Sequence, residues 1–264
     1  MQLTFPHRRT WLHRVNPVVK LVLFSLWFFA IILIHDFSVM INVAIGSVLL
    51  LIWSGHPWKR LLLYASPFLL VFVSSTTGMM FFGSGETPWF KWGIVNITEE
   101  SFYRGLHLGF RALSMAAVGL LFGLTTRPVD LFYALMQKAK LPPKYAYSFL
   151  AAMRMIPILV EEFQTLRHAL KIRGMKKQGK LMTIYRTWHR YAIPLLAQSI
   201  RRAHRIAVAM EAKRFAGGAK RTYYYIIGFT YRDIAFAALT AVLFAASFAA
   251  GIQWPYIADI TDVR

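Results

Sequence analysis

The sequence predicts an all-α, polytopic integral membrane protein, with about five transmembrane helices and a cytoplasmic helical block built on two long crossing helices. Three observations predict it. Hydrophobic residues fill 57% of the 264 positions and the mean hydropathy is positive, more than a soluble domain needs for its core. Five apolar runs approach or reach the length that crosses a bilayer. Between the fourth and fifth lie roughly 100 residues without such a run, in which one helical pattern occurs twice.

Residues 1–20 are basic and aromatic (Arg8, Arg9, Trp11, His13, Arg14, Lys20), which predicts a cytoplasmic N-terminal segment on the membrane surface. Val18 to Ile34 is the first span, 17 residues and about 26 Å as a helix. His35-Asp36 makes the outer turn. Phe37 to Trp53 returns, interrupted by Asn42 and Gly46, and Ser54-Gly55-His56-Pro57 with Lys59 and Arg60 forms a basic inner loop. Leu61 to Phe82 crosses outward. Gly83 to Ser101 reads as an outer loop, acidic through Glu86, Glu99 and Glu100 against Lys91, with Trp89 and Trp92 as interfacial perches. Phe102 to Leu124 comes back in. Ile234 to Ile252 is the last span, flanked by Arg232-Asp233 inside and by Trp254 and Tyr256 outside, with Asp259 and Asp262 beyond. Five spans with the N-terminus inside and the C-terminus outside satisfy the charge bias of every loop. The basic start enters the first span without a small-residue cleavage site, so no cleavable signal peptide is expected. The expected divisions are 1–125, 126–233 and 234–264.

The net charge of +20 is unevenly spread, because Thr126 to Tyr225 holds 20 of the 31 Lys and Arg residues against Asp130, Glu161, Glu162 and Glu211. In a soluble chain this would suggest nucleic acid. In a membrane chain the positive-inside rule and anionic membrane lipid account for it, and no nucleic-acid partner is expected. With no Cys, the chain can form no disulfide, thiolate nucleophile or Cys-ligated metal site.

In the fourth span, Gly105, Gly109, Ala112, Ala116, Gly119 and Gly123 fall within an arc of roughly 80° at helical spacing, leaving one face nearly bare backbone. Two readings stay open: tight packing against a neighbouring span of the same chain, or a face for another membrane subunit. Arg111 lies about 120° from that face near membrane depth, where a charge requires a partner or water.

The basic block reads as helix. Pro128-Val129-Asp130 is a helix start, with Pro in the first turn and an acid near the positive end of the dipole, and Leu141-Pro142-Pro143 ends that run. Tyr145 to Pro157 is apolar enough to sit on or in the bilayer. From Ile158, a stripe of Leu159, Phe163, Leu166 and Leu170 opposes Glu161, Glu162, Arg167 and Lys171. The second copy, after Arg190 and Pro194, sets Leu196, Ile200, Ala203, Ala207 and Met210 beside Arg201, Arg202 and Arg205. Such stripes predict that the two helices pack as an antiparallel or crossed pair.

Both copies end in a basic tip near Gly: Ile172-Arg173-Gly174, and Glu211-Ala212-Lys213-Arg214 ahead of Gly217-Gly218. A cation at a helix C-terminus with Gly behind it is ordinary capping chemistry. An Arg at a rigid tip is also suited to docking, since its planar fork meets a partner's carboxylates and carbonyls.

An ordered set of motifs resembles the transmembrane T component of energy-coupling factor (ECF) type ABC transporters. These are Thr10-Trp11-Leu12-His13-Arg14-Val15-Asn16-Pro17 with Lys20-Leu21, then Arg111, then Thr125-Thr126-Arg127-Pro128-Val129-Asp130-Leu131, Leu141-Pro142, and Arg154-Met155-Ile156-Pro157. The two tips are similar to the family's paired Ala-Arg-Gly coupling motifs, with Ile172 in place of the usual Ala and Lys213-Arg214 in place of the usual second Arg. The resemblance implies a non-enzymatic scaffold joining two cytosolic ABC ATPase subunits or domains to one membrane S component that captures a micronutrient. Arg173, Gly174, Ala212, Lys213 and Arg214 would carry the ATPase contacts, and either Lys213 or Arg214 the second one. ATP and Mg would belong to the partner ATPases, with no cofactor or metal in this chain. The family's cargoes are vitamins or their precursors and cobalt or nickel ions, and this chain looks most like the dedicated vitamin components, thiamine-related ones included.

The chain has no Gly-Lys-Thr/Ser phosphate loop, so an ATPase must be another chain. A membrane enzyme is disfavoured because His168, His189 and His204 lack metal-ligand spacing and no nucleophile motif is present. A stand-alone secondary transporter would be expected to carry inverted repeats and midplane polar sites, whereas the visible repeat is cytoplasmic. A conventional ABC permease subunit would offer one coupling segment, not two.

Overall fold

The computed structural model describes residues 11–83, 85, 88–92, 95–174, 181–215 and 222–254, and at 88–92, 95–96 and 181–187 the backbone alone. Arg8, Arg9, Glu86, Gly217, Gly218, Tyr256, Asp259 and Asp262 lie outside the described residues, as do the side chains of Trp89, Lys91 and Trp92. The described chain forms two compact units, Pro6–Ala134 with Ile227–Arg264, and one that includes Leu135–Ile226.

The first unit holds the five apolar helices. A 3-10 turn, Trp11–Arg14, leads into α1, Pro17–Leu33, and α2 is Phe37–Ile52. The Asn16 side chain accepts from the Val18 N–H at 3.0 Å and Pro17 occupies the first turn, so the entry to α1 is capped and preset in φ. Helix α3, Trp58–Phe82, is followed by a small hairpin, β1 (Pro88–Trp92) antiparallel to β2 (Val95–Thr98), with an irregularity between Pro88 and Phe90. Where an outer loop was expected the backbone pairs with itself. Helix α4 then begins at Glu99 and ends at Thr125. It starts three residues earlier than the apolar run because Thr98 and Ser101 form a capping box, each side chain bonded to the other's backbone N–H. Helix α8, Tyr231–Gln253, likewise begins where Asp233 accepts the N–H of Thr230 at 2.8 Å.

Helices α3, α4 and α8 are long and apolar enough to cross a membrane, while α1 and α2 are shorter apolar helices of 17 and 16 residues. The core of the unit gathers Phe24, Trp27 and Ile31 of α1, Met40 and Val43 of α2, Val118 and Leu121 of α4 and Phe236 of α8. Phe24 packs edge-on against both Phe122 and Phe236, at 6.1 and 5.8 Å between ring centroids. The described part of the segment expected on the membrane surface closes the end of this bundle, with Leu12 and Val15 buried and Trp11 against Phe236. Helix α3 buries no residue, which apolar side chains tolerate in lipid because hydrocarbon replaces protein as their neighbour. Its interior Pro67 cannot donate to the Leu63 carbonyl. The Ser66 hydroxyl does so instead, at 2.8 Å. Gly46, which interrupts the apolar run of α2, marks a close approach, since a Cβ there would stand 2.8 Å from Ser247 Oγ of α8.

In the other unit, α5 (Pro128–Lys138) runs in from the first and is followed by α6 (Pro143–Ile172) and α7 (Leu181–Ala212). Pro157 and Pro194, which precede the two amphipathic runs, lie inside α6 and α7. Each removes one i to i−4 bond and leaves the helix continuous. Contacts between α6 and α7 run in antiparallel order: Tyr147 with Phe215 at 5.6 Å, Glu162 with Arg202, and Phe163 with Tyr191 at 5.2 Å. The pairing face of α7 differs from the apolar stripe. Leu196 and Ile200 are 61% and 68% exposed, and the half-buried set is Leu195, Ser199, Arg202, Ile206 and Met210. The Arg202–Glu162 ion pair brings a polar residue onto that face and turns the apolar stripe outward.

Candidate functional site

The two tips have the same backbone construction. At the end of α6, the Arg173 N–H donates to Ala169 O at 3.1 Å and the Gly174 N–H to Lys171 O at 3.1 Å, with Gly174 at φ +78°. At the end of α7, the Lys213 N–H donates to Ala209 O at 3.2 Å and the Arg214 N–H to Glu211 O at 2.8 Å, with Arg214 at φ +53°. Lys213 is therefore the positional counterpart of Arg173, and Arg214 that of Gly174. The left-handed position costs an L side chain about 1 kcal/mol or more, which Gly174 avoids and Arg214 does not. The Phe215 N–H closes the stop by donating to Met210 O at 2.9 Å. Ile172, Arg173, Gly174, Ala212, Lys213 and Arg214 are all exposed. Because Phe215 packs on Tyr147, the second tip lies near the start of α6 and the first at its far end, separated by about 40 Å of helix at 1.5 Å per residue.

The small-residue face of α4 divides into two. A Cβ on Gly105 would stand 2.7 Å from the Thr76 carbonyl oxygen, and one on Gly109 would overlap Thr76 Oγ1 and lie 2.9 Å from the Phe72 ring. This half is closed by α3. Gly119 and Gly123 have nothing within 4 Å of such an atom. Here the face opens into an almost wholly apolar groove of about 530 Å³, floored by Ala112, Ala116, Gly119 and Gly123 and walled by Tyr64 and Phe68 of α3. Gly119 also lines a second groove of about 220 Å³ against Leu21, Ser25 and Phe28 of α1, so its bare backbone is shared by both.

Arg111 points elsewhere. Its Nη2 donates to the carbonyl of Ile34, the residue that ends α1, at 2.7 Å. The opposite end of the same helix pair mirrors this arrangement: Lys20 Nζ donates to the carbonyl of Thr125, the last residue of α4, at 2.9 Å. Each helix thus supplies a cation to the negative end of the other. Lys20 is 1% exposed, and the charges of Asp130 and Asp233 act in favour of its ammonium against the cost of burial. Asp233 further accepts the Asn16 N–H at 2.7 Å. The sequence marked Asn16 and Thr125 only as parts of a resemblance, Lys20 also as one of the basic residues of the N-terminal segment, and Asp233 only as the edge of a span. Buried polar residues at the ends of apolar runs were the signal available for all four.

The carboxylates of the α6–α7 pair are not brought together as a catalytic couple. Glu162 is engaged with Arg202 while its neighbour Glu161 is exposed. Among the described residues, no group of three or more His, Asp or Glu is arranged to hold a metal ion.

These features define a class: a polytopic helical membrane subunit with a second helical unit that ends in two matched basic tips. The family model described as "Cobalt transport protein" (CbiQ) matches residues 8–224. Curated relatives carry the name energy-coupling factor transporter transmembrane protein EcfT. That of Brevibacillus brevis is 29% identical over 244 residues, covering 89% of this chain and 92% of the relative. That of Lactococcus lactis subsp. cremoris is 28% identical over 233 residues, 84% and 86% of the two chains, and that of Streptococcus equi subsp. equi 25% over 240 residues, 88% and 89%. The chain belongs to this family of transmembrane components of ECF transporters.

Proposed function

We propose that this chain is the scaffold of an ECF-type importer. It couples ATP hydrolysis by two cytosolic ABC ATPases to movement of a membrane S component that captures a micronutrient. The observation that carries the reading is the matched pair of exposed tips, with the same pattern of capping bonds, at opposite ends of an antiparallel helix pair. Arg173 engages one ATPase through its guanidinium fork. Lys213, in the equivalent position, engages the other as a point charge, with Arg214 beside it. The open half of the α4 face, from Ala112 to Gly123, receives the S component, since a helix packs closely where side chains are small. The chain itself is non-enzymatic, with ATP and Mg held by its partners. It lies in the cell membrane with the N-terminus and the α6–α7 pair cytoplasmic and the C-terminus outside, a reading supported by the distribution of Lys and Arg. The resemblance to dedicated vitamin components, thiamine-related ones included, supports a vitamin or vitamin precursor as the cargo.

The test is co-purification of both ATPases with the chain carrying Arg173→Ala, Lys213→Ala and Arg214→Ala. The expected result is loss of both ATPases with membrane insertion intact. Recovery at wild-type yield would overturn the reading.

A further inference from the structure

Asn16 and Lys20 stand one turn apart at the start of α1, and together they bond the two places within the first unit from which the chain leaves for the second and to which it returns. The outgoing stretch leaves α4 at Thr125 and enters the second unit within α5. Lys20 Nζ bonds the Thr125 carbonyl at its root, and the charge of Asp130, in the first turn of α5, acts on the same ammonium. The returning stretch re-enters the first unit at Ile227. There the Asn16 amide donates to Gly228 O at 3.4 Å, and Asp233 takes the backbone N–H groups of both Asn16 and Thr230. Asn16, Lys20, Thr125 and Asp233 are each 3% exposed or less. Burying an ammonium costs several kcal/mol of desolvation before its partners compensate, whereas an exposed capping residue would stop α4 without that cost. What burial adds is a joint whose groups have one arrangement, because leaving any of them unpaired in a low dielectric is expensive. The last turn of α4 held by Lys20 also carries Gly123 of the open groove.

We propose that Asn16 and Lys20 form a positioning clasp that grips both joints between the units, so that movement of the α6–α7 pair passes into α4 and its groove instead of being absorbed at the joints. This rests on the coupling function proposed above. The clasp acts through Thr125 and Asp233 and touches neither ATP nor cargo.

The experiment uses the full chain in complex with its two ATPases. Because the protein has no Cys, Leu26→Cys on α1 and Leu63→Cys on α3, both exposed and outside the grooves, accept a unique pair of spin labels that flank the groove. The probe is ATP. In the otherwise wild-type complex, ATP is expected to shift the inter-label distance. Lys20→Met should keep ATPase association and hydrolysis within about twofold while reducing that shift at least threefold, and Lys20→Arg should restore it. If Lys20→Met does not assemble, Asp233→Asn carries the same expectation. The clasp is overturned if the shift survives in Lys20→Met, if an assembled wild-type complex shows no shift, or if both variants lose assembly and shift together. A wild-type chain that binds no ATPase refutes the coupling function itself, a distinguishable result.

Discussion

Arg111 and Ile34 are joined across the first unit by a 2.7 Å bond from a guanidinium to the carbonyl that ends α1. Fourteen residues separate Ile34 from Lys20 along α1, and fourteen separate Arg111 from Thr125 along α4. The bonds Arg111–Ile34 and Lys20–Thr125 therefore tie two antiparallel helices in register, about 21 Å apart along the axis. A charge that is costly in hydrocarbon is used where helix carbonyls have no intrahelical donor.

Removing that donor strands the Ile34 carbonyl. Arg111→Met is expected to destabilise the isolated chain by roughly 1–3 kcal/mol, the range for leaving a buried acceptor unsatisfied. Unfolding in mixed micelles against denaturant measures it. An unchanged midpoint would mean that water or another donor takes over.

The two halves of the α4 face should respond in opposite ways to the same substitution. Gly109→Leu collides with Thr76 and Phe72, so the isolated chain should lose thermal stability. A Cβ at Gly119 meets no atom within 4 Å and two open grooves border the position, so with Gly119→Leu the isolated chain should melt as the wild type does while co-purification of the S component falls several-fold. Equal destabilisation by both would remove the distinction between closed and open halves.

The tips make a prediction that separates backbone from side chain. Arg214→Gly relieves the left-handed strain at φ +53° and should stabilise the chain by about 1 kcal/mol. Lys213→Ala, at the counterpart of Arg173, should weaken ATPase binding more than Arg214→Gly does. Titration of labelled ATPase onto the immobilised chain ranks the two. The reverse order would assign the contact to Arg214.

The α6–α7 pair rests partly on one ion pair whose side chains are 26% and 18% exposed. A double-mutant cycle of Glu162→Gln and Arg202→Met should give a coupling energy of about 1 kcal/mol, after allowance for screening by solvent. It should shrink in high salt. A coupling near zero at low salt would leave the pair to its aromatic contacts, Phe163–Tyr191 and Tyr147–Phe215.

Apolar run length and Lys/Arg bias made the helical membrane class legible in the sequence, because lipid demands internally bonded backbone and length follows from thickness. The motif order made the family legible. The pairing face of α7 was not, since Leu196 and Ile200 are the better apolar stripe and lost to a face containing Arg202. Hydrophobic periodicity cannot foresee an ion pair to a helix 40 residues away. The hairpin after α3 did carry a signal, the aromatic and β-branched residues of Pro88–Trp92 and Val95–Thr98, but the acidic, Gly-containing stretch around them read as a loop.

The sequence by itself determined that this chain is helical, lies in a membrane and ends two helices in basic tips, because each of those properties is local: hydropathy, charge and cap residues act within a few turns. Only the tertiary structure decided which half of the glycine face is closed, which tip residue matches Arg173, and what the buried Lys20 holds. Those are questions of distance between residues far apart in the chain. Thr76 closes on Gly109 but nothing closes on Gly119, and the Lys20 ammonium reaches a carbonyl 105 residues away because two antiparallel helices bring it there.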